Sequence, residues 1–154
     1  MLDDVDRRIL RQFQAAPDVS IAELADRCSL TTASCWRRLE KLESSGIILG
    51  QEVVVDWQAL GFAVEVSLRI TLDKTQTTAF DEFLAKARTV PEVLEIHEVS
   101  GEFTYLVKVR THDTHDLSRI IKEEIGQIDN VSAVNSVMTL KTFKESTKIP
   151  LDTK

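Results

Sequence analysis

The sequence predicts an α+β protein of two modules. Residues 1–57 read as an N-terminal winged helix-turn-helix, and residues 58–154 as a C-terminal ferredoxin-like βαββαβ domain. Two observations carry this. A turn of about four residues, "SLTT", separates two short amphipathic helices. Beyond residue 62 the apolar period changes from helical to alternating.

The first helix opens at Asp3, a capping residue. Val5, Ile9, Leu10 and Phe13 then form an apolar stripe at helical spacing. "AAPDV" breaks it with Pro17. Ser20 starts a second helix with Glu23 three residues on, which is capping-box spacing. Ile21, Leu24 and Ala25 are its buried face. Thr31 or Thr32 caps the third helix, which runs to about Ser45 and stops at Gly46. Cys35, Leu39 and Leu42 point inward, and Ser34, Arg37, Arg38 and Lys41 fall largely outward. "IILG" and "EVVVDW" read as two short strands folded on each other, the wing.

In the second module "AVEVSLRITL" alternates, with Val64, Val66, Leu68, Ile70 and Leu72 on one face. Residues 77–89 form a helix burying Phe80, Phe83, Leu84 and Ala87. Strands at 92–100 and 104–110 make a hairpin around "GEF". A helix at 113–128 buries Leu117, Ile120, Ile121 and Ile125, and a last strand covers 131–140. That strand carries apolar residues on both sides: Val131, Ala133 and Val137 on one, Val134, Met138 and Leu140 on the other. A second copy covering this sheet is the expectation, so dimerisation is assigned to this domain.

Composition narrows the function classes. No apolar run is long enough to span a membrane, and the acidic opening "MLDDVDRR" has no signal-peptide character. A cytoplasmic location is expected, with Cys28 and Cys35 as reduced core residues. The net charge is −6, and residues 1–60 hold seven Lys/Arg against ten Asp/Glu. Any nucleic-acid surface must therefore be a local patch. The third helix supplies one. Arg37, Arg38 and Lys41 suit phosphates or guanine edges, and Thr32 and Ser34 occupy its first turn. Trp36 suits packing on the wing or the DNA backbone. The plainer alternative is a solvated face paired with Glu40 and Glu43.

"THDTHD" (111–116) gathers His112, Asp113, His115 and Asp116, but helix capping by Asp113 or Thr114 explains it, and no metal is expected. No phosphate loop, nucleophile elbow or Cys–His pair is present, so neither enzyme nor cofactor is expected. The other reading kept open is an architectural DNA-binding protein without a small-molecule effector.

"LDDVDRRILRQFQ", "SIAELADRCSLTTASCWRRLEKLESSGII" and "EIHEVSGEFTYLVKV", in that order, resemble the Lrp/AsnC family of transcription regulators, over residues 2 to about 150. The resemblance implies that the first module binds double-stranded operator DNA through Thr31, Thr32, Ser34, Trp36, Arg37, Arg38 and Lys41. It implies a homodimer that assembles to a tetramer or octamer, and a nucleoid-associated protein. It implies an amino-acid effector held by Glu98, Ser100, Gly101, Glu102, Phe103, Thr104 and Tyr105, with Ser136 and Met138 on the last strand. The chain departs from the family pattern at Thr31-Thr32-Ala33-Ser34, where Ser-Pro-Thr-Pro is frequent. It also departs at Glu98, and at Thr104, where the family often has Asp. "CWRR" and the tail "TKIPL" resemble a branch that includes regulators of sulfur amino-acid catabolism.

Overall fold

The computed structural model describes residues 2–73 and 78–151. The chain forms two compact units, one made of residues up to Val54 together with the tail from Lys144, the other of Val55–Phe143.

The first unit holds α1 (Asp4–Ala15), α2 (Ile21–Arg27) and α3 (Thr32–Ser44). Asp3 and Asp6 form a reciprocal capping box at the start of α1. Ser20 caps α2 and Thr31 caps α3, each accepting from the N–H three residues on. Ser29, at φ 56°, turns the chain between α2 and α3. Ile9, Leu10, Leu24, Ala25, Leu39 and Leu42 close around the two cysteines, and both cysteines are fully buried. Burial pushes both thiols up, which keeps them protonated and inert.

Two sequence expectations change here. The wing strands do not form: residues 49–56 lack strand structure, and Leu49, Val53 and Val54 project into solvent. The chain leaving α3 is steered elsewhere. Ile47 and Ile48 donate back to the Leu42 carbonyl, Ile48 packs into the helical core, and Gln51 donates to the Pro17 carbonyl. With Gly50 at φ 151° between them, the two apolar runs do not face each other as a ladder. Second, the module division at 57/58 shifts to Val54/Val55, and the tail from Lys144 joins the helical unit rather than the sheet domain. Leu151 packs on the helical core, which draws the tail there.

The second unit is a four-stranded antiparallel sheet of β1 (Val64–Leu72), β2 (Val93–Glu98), β3 (Tyr105–Thr111) and β4 (Val131–Met138), in the order β2-β3-β1-β4. Helices α4 (Ala79–Ala87) and α5 (Thr114–Arg119) belong to the same core, and α5 runs on as a π-helical segment, Ile120–Ile125. The expected start of the fourth helix at Thr77 lies outside the described residues. The expected apolar face of β1 is buried together with Val107, Val109 and Phe83. The wide turn donates Gly126 N–H to the Ile121 carbonyl at 2.9 Å and keeps both Ile120 and Ile125 buried. A Cβ at Gly126 would lie 2.5 Å from that carbonyl oxygen, so the turn requires glycine.

A bulge between Thr71 and Leu72 pairs Thr71 with Ala133 but Leu72 with Val131. Val131 therefore packs on the core with Val134 instead of sharing a side with Ala133 and Val137. The open face of the sheet carries a set of ion pairs. Glu65 takes Arg110 at 2.7 Å and Lys108 at 3.9 Å, while Lys108 reaches Glu95 at 3.3 Å. Val137 on that face is exposed, and the guanidinium of Arg110 lies over the Trp57 ring.

Candidate nucleic-acid interface and effector turn

α3 displays its polar residues in two stripes. Ser34, half-buried, and the exposed Arg37 and Lys41 fall at i, i+3 and i+7, on one face. Arg37 and Lys41 are exposed and make no ion pair among the described residues. The first turn of α3 carries no acidic side chain, so its positive end is open to an anion. Thr32 is exposed beside it. The Thr31 hydroxyl is occupied, accepting from the Ser34 N–H at 3.2 Å, so Thr31 acts as the cap. Trp36 is 58% exposed and stands at the rim of a groove lined by Phe13, Val19, Ile21, Leu39 and Ile48.

Arg38 departs from the expectation that it faces outward. Its Nη1 donates to Asp6 Oδ1 at 2.6 Å and to Asp3 Oδ2 at 2.7 Å. The Asp6 side chain is only 5% exposed, and that of Arg38 is 28% exposed. The guanidinium is thus committed to the capping box of α1 and ties the third helix to the first. The Asp6 backbone N–H, and after it Arg38, hold the Asp3 carboxyl below its ordinary range. The hydrogen bonds that Arg38 donates to Asp3 and Asp6 push its own pKa up in turn. Spacing marks this role. Arg38 follows Cys35 by three and precedes Leu42 by four, on the inward stripe. The acidic partners, Asp3 and Asp6, both stand in "LDDVD", but their links to Arg38 span 35 and 32 residues.

The predicted effector residues divide into three groups. Glu98, Ser100, Gly101 and Glu102 are exposed around the β2–β3 turn. Ser100, Gly101, Glu102 and Phe103 donate no backbone hydrogen bond among the described residues. Gly101, at φ 143°, has nothing within 4 Å of where a Cβ would stand. Successive free amides of this kind suit a carboxylate. Phe103 is half-buried beneath the Arg69 guanidinium, 5.5 Å from the ring centroid.

Thr104 and Tyr105 belong to the core instead. Thr104 donates its N–H to the Ile70 carbonyl at 2.7 Å and accepts the Leu72 N–H on its hydroxyl at 3.3 Å. It pins the turn to β1. Tyr105 stacks on Phe83 at 4.9 Å, and burial pushes its phenol up. Ser136 and Met138 lie opposite Leu68 and Val66 on β4, which β1 separates from the hairpin. One chain does not bring them to the turn.

"THDTHD" folds as a cap. Asp113 accepts the Asp116 N–H at 2.8 Å, while His112 donates to the Gly61 carbonyl and stacks on Phe62. The ligand atoms of Asp113, His115 and Asp116 lie within 4.8 Å of one another at the start of α5.

Comparison with known proteins assigns both units. Residues 2–48 match the family model "Winged helix-turn-helix DNA-binding", and residues 65–149 match "Lrp/AsnC ligand binding domain". The chain belongs to the Lrp/AsnC family. A proline dehydrogenase transcriptional activator of Rhizobium radiobacter is 32% identical over 145 residues, 94% of this chain and 93% of the relative. A transcriptional regulator of Neisseria meningitidis, solved as an L-Met complex, superposes with a TM-score of 0.94 at 28% identity, covering 99% of this chain and 98% of that one. The feast or famine regulatory protein of M. tuberculosis, complexed with L-methionine, gives a TM-score of 0.88 at 29% identity over 97% and 99% of the two chains. As an Lrp/AsnC protein the chain is a DNA-binding transcriptional regulator. No helix among the described residues is long and apolar enough to cross a membrane.

Proposed function

We propose that this regulator reads double-stranded operator DNA with the Ser34–Arg37–Lys41 stripe of α3 and responds to a free amino acid, with no catalytic role. The observation that carries the DNA reading is the pair of exposed cations, Arg37 and Lys41, without ion-pair partners among the described residues, beside the open N-terminus of a capped helix. Phosphates suit that end, and a bidentate guanidinium suits guanine. Thr32 completes the surface, and Trp36 flanks it.

For the effector, the free amides of residues 100–103 suit a carboxylate, and Glu98 or Glu102 suits an ammonium. The L-methionine complexes of structural neighbours make that amino acid the first ligand to test. Ser136 and Met138 reach such a turn only across copies, so the site is completed in an assembly. A homodimer that assembles further, to a tetramer or octamer, fits the exposed Leu94, Val137 and Met138. Its setting is the cytoplasm, at the nucleoid.

The test is fluorescence anisotropy on the duplex upstream of its own gene, at physiological salt with competitor DNA, repeated with L-methionine and then the other amino acids. Saturable binding that survives competitor and shifts with one amino acid is expected, with a coupling of about 1–3 kcal/mol. Binding without sequence preference and with a steep salt slope would favour an architectural protein. Specific binding indifferent to every amino acid would remove the effector.

A further inference from the structure

The polypeptide passes between its two units twice. It leaves the helical unit at Val54/Val55, and it returns at Phe143/Lys144. The second passage ends in a seat on α1. Arg7 and Gln14, seven residues apart, share one face of that helix. Gln14 grips one residue by both its main-chain groups: Ile149 N–H donates to Gln14 Oε1 at 2.8 Å, and Gln14 Nε2 donates to the Ile149 carbonyl at 3.3 Å. That two-bond exchange is what a neighbouring β-strand would offer. Arg7 Nη1 donates to the Leu151 carbonyl at 3.2 Å, and Leu151 packs on the core cluster that includes Leu2 and Val5. Pro150, between these contacts, biases the preceding Ile149 to extended backbone.

These bonds go to main-chain atoms, so the seat recognises an extended peptide with one apolar anchor. α1 is also the helix whose capping box holds Arg38 of α3. Whatever holds the tail therefore acts on the helix to which the recognition helix is tied.

We infer that α1 carries a binding site for the extended segment Ile149–Leu151, and that the seated tail is a strap restraining the helical unit relative to the sheet domain. Two covalent connections, one fastened on α1, leave a reading head less freedom than a single linker does. The strap's consequence for DNA rests on the operator reading above. A restrained head binds a two-half-site operator at less entropic cost, whereas a single half-site gains little.

The experiment uses the full chain with dyes at Glu43→Cys and Lys122→Cys, diluted into unlabelled chain so that one pair is observed per particle. Single-pair energy transfer reports the distribution of distances between the units. Three variants are compared: a chain ending at Ser146, Gln14→Ala, and a flexible Gly-Ser insert of about 12 residues after Phe143. The insert slackens the strap while leaving the seat filled. All three are expected to broaden the distribution. The insert alone should keep the thermal midpoint of the helical unit. Operator affinity should fall roughly tenfold in each, with half-site affinity unchanged. An unaltered distribution in Gln14→Ala and in the insert would overturn the strap, even if the truncated chain failed to fold. Broadened distributions with no DNA binding by the parent chain would keep the strap and sink the operator reading instead.

Discussion

Replacing Arg38 with Ala separates a structural clamp from a DNA contact. The substitution removes two charge-assisted bonds, at 2.6 and 2.7 Å. Asp3 is half-exposed, and water takes over its share. Asp6 is different. Its side chain is 5% exposed, and without the guanidinium it keeps, among the described residues, only the Asp3 N–H at 3.3 Å. Stranding a buried charged acceptor costs about 1.5–3 kcal/mol. Breaking a fully buried pair costs about 3–5 kcal/mol, but Arg38 is itself 28% exposed, which sets the lower figure, about 2 kcal/mol. For a helical unit of this size that lowers the thermal midpoint by about 8–16 °C. Circular dichroism melts and urea titrations read the loss directly. Asp6→Ala combined with Arg38→Ala should recover part of it, because neither partner is then stranded. An Arg38→Ala chain with an unchanged midpoint but lost operator affinity would refute the clamp and return Arg38 to the DNA surface.

Gly126→Ala should destabilise the sheet domain by about 1–3 kcal/mol, because the new methyl meets the Ile121 carbonyl at 2.5 Å; a melt unchanged from the parent would contradict the π-turn constraint. Thr104→Val keeps the shape but leaves the Leu72 N–H without its acceptor; a loss of about 1–2 kcal/mol in urea titration is expected, and a neutral result would free Thr104 from its structural role. Stability should also fall in acid. The Asp3 carboxyl is depressed in the folded state, by the Asp6 N–H first and Arg38 second, so its contribution is complete above the ordinary carboxylate range and is lost as pH falls through the folded value. Asp3→Asn should flatten that acid limb of the melting profile, and an identical limb would assign it elsewhere.

The parts legible in sequence were those fixed by local periodicity. Alternation through residues 64–72 marked the buried face of β1, and capping residues marked the helix starts: Asp3, Ser20, and Thr31 or Thr32, of which the structure uses Thr31. What escaped depended on distant partners. Val53 and Val54 have strand composition, but a strand needs a neighbour, and the chain around Gln51 is anchored to the Pro17 carbonyl instead. Val131 changed sides because a bulge inserts Ser132, which no two-residue period reveals. Arg38 looks like any cation on a basic helix until Asp6 is found buried against it. Tail residues 149–151 carry no periodicity, and their seat is made by main-chain bonds. In the β2–β3 turn Gly101 has a positive φ, whereas the nearby Thr104 and Tyr105 turn into the core.

The most direct measurement is the salt dependence of operator affinity for the parent chain and for Arg37→Ala, with helicity and melting point recorded for both. If the exposed stripe of α3 meets DNA, Arg37→Ala should fold as the parent does and bind more weakly. A phosphate contact would reduce the slope of log K against log salt by about one; a guanine contact would cost about 1–3 kcal/mol and relax preference at one base pair. Parent affinity, slope and sequence preference in a well-folded Arg37→Ala chain would contradict the assignment of that stripe as the reading surface.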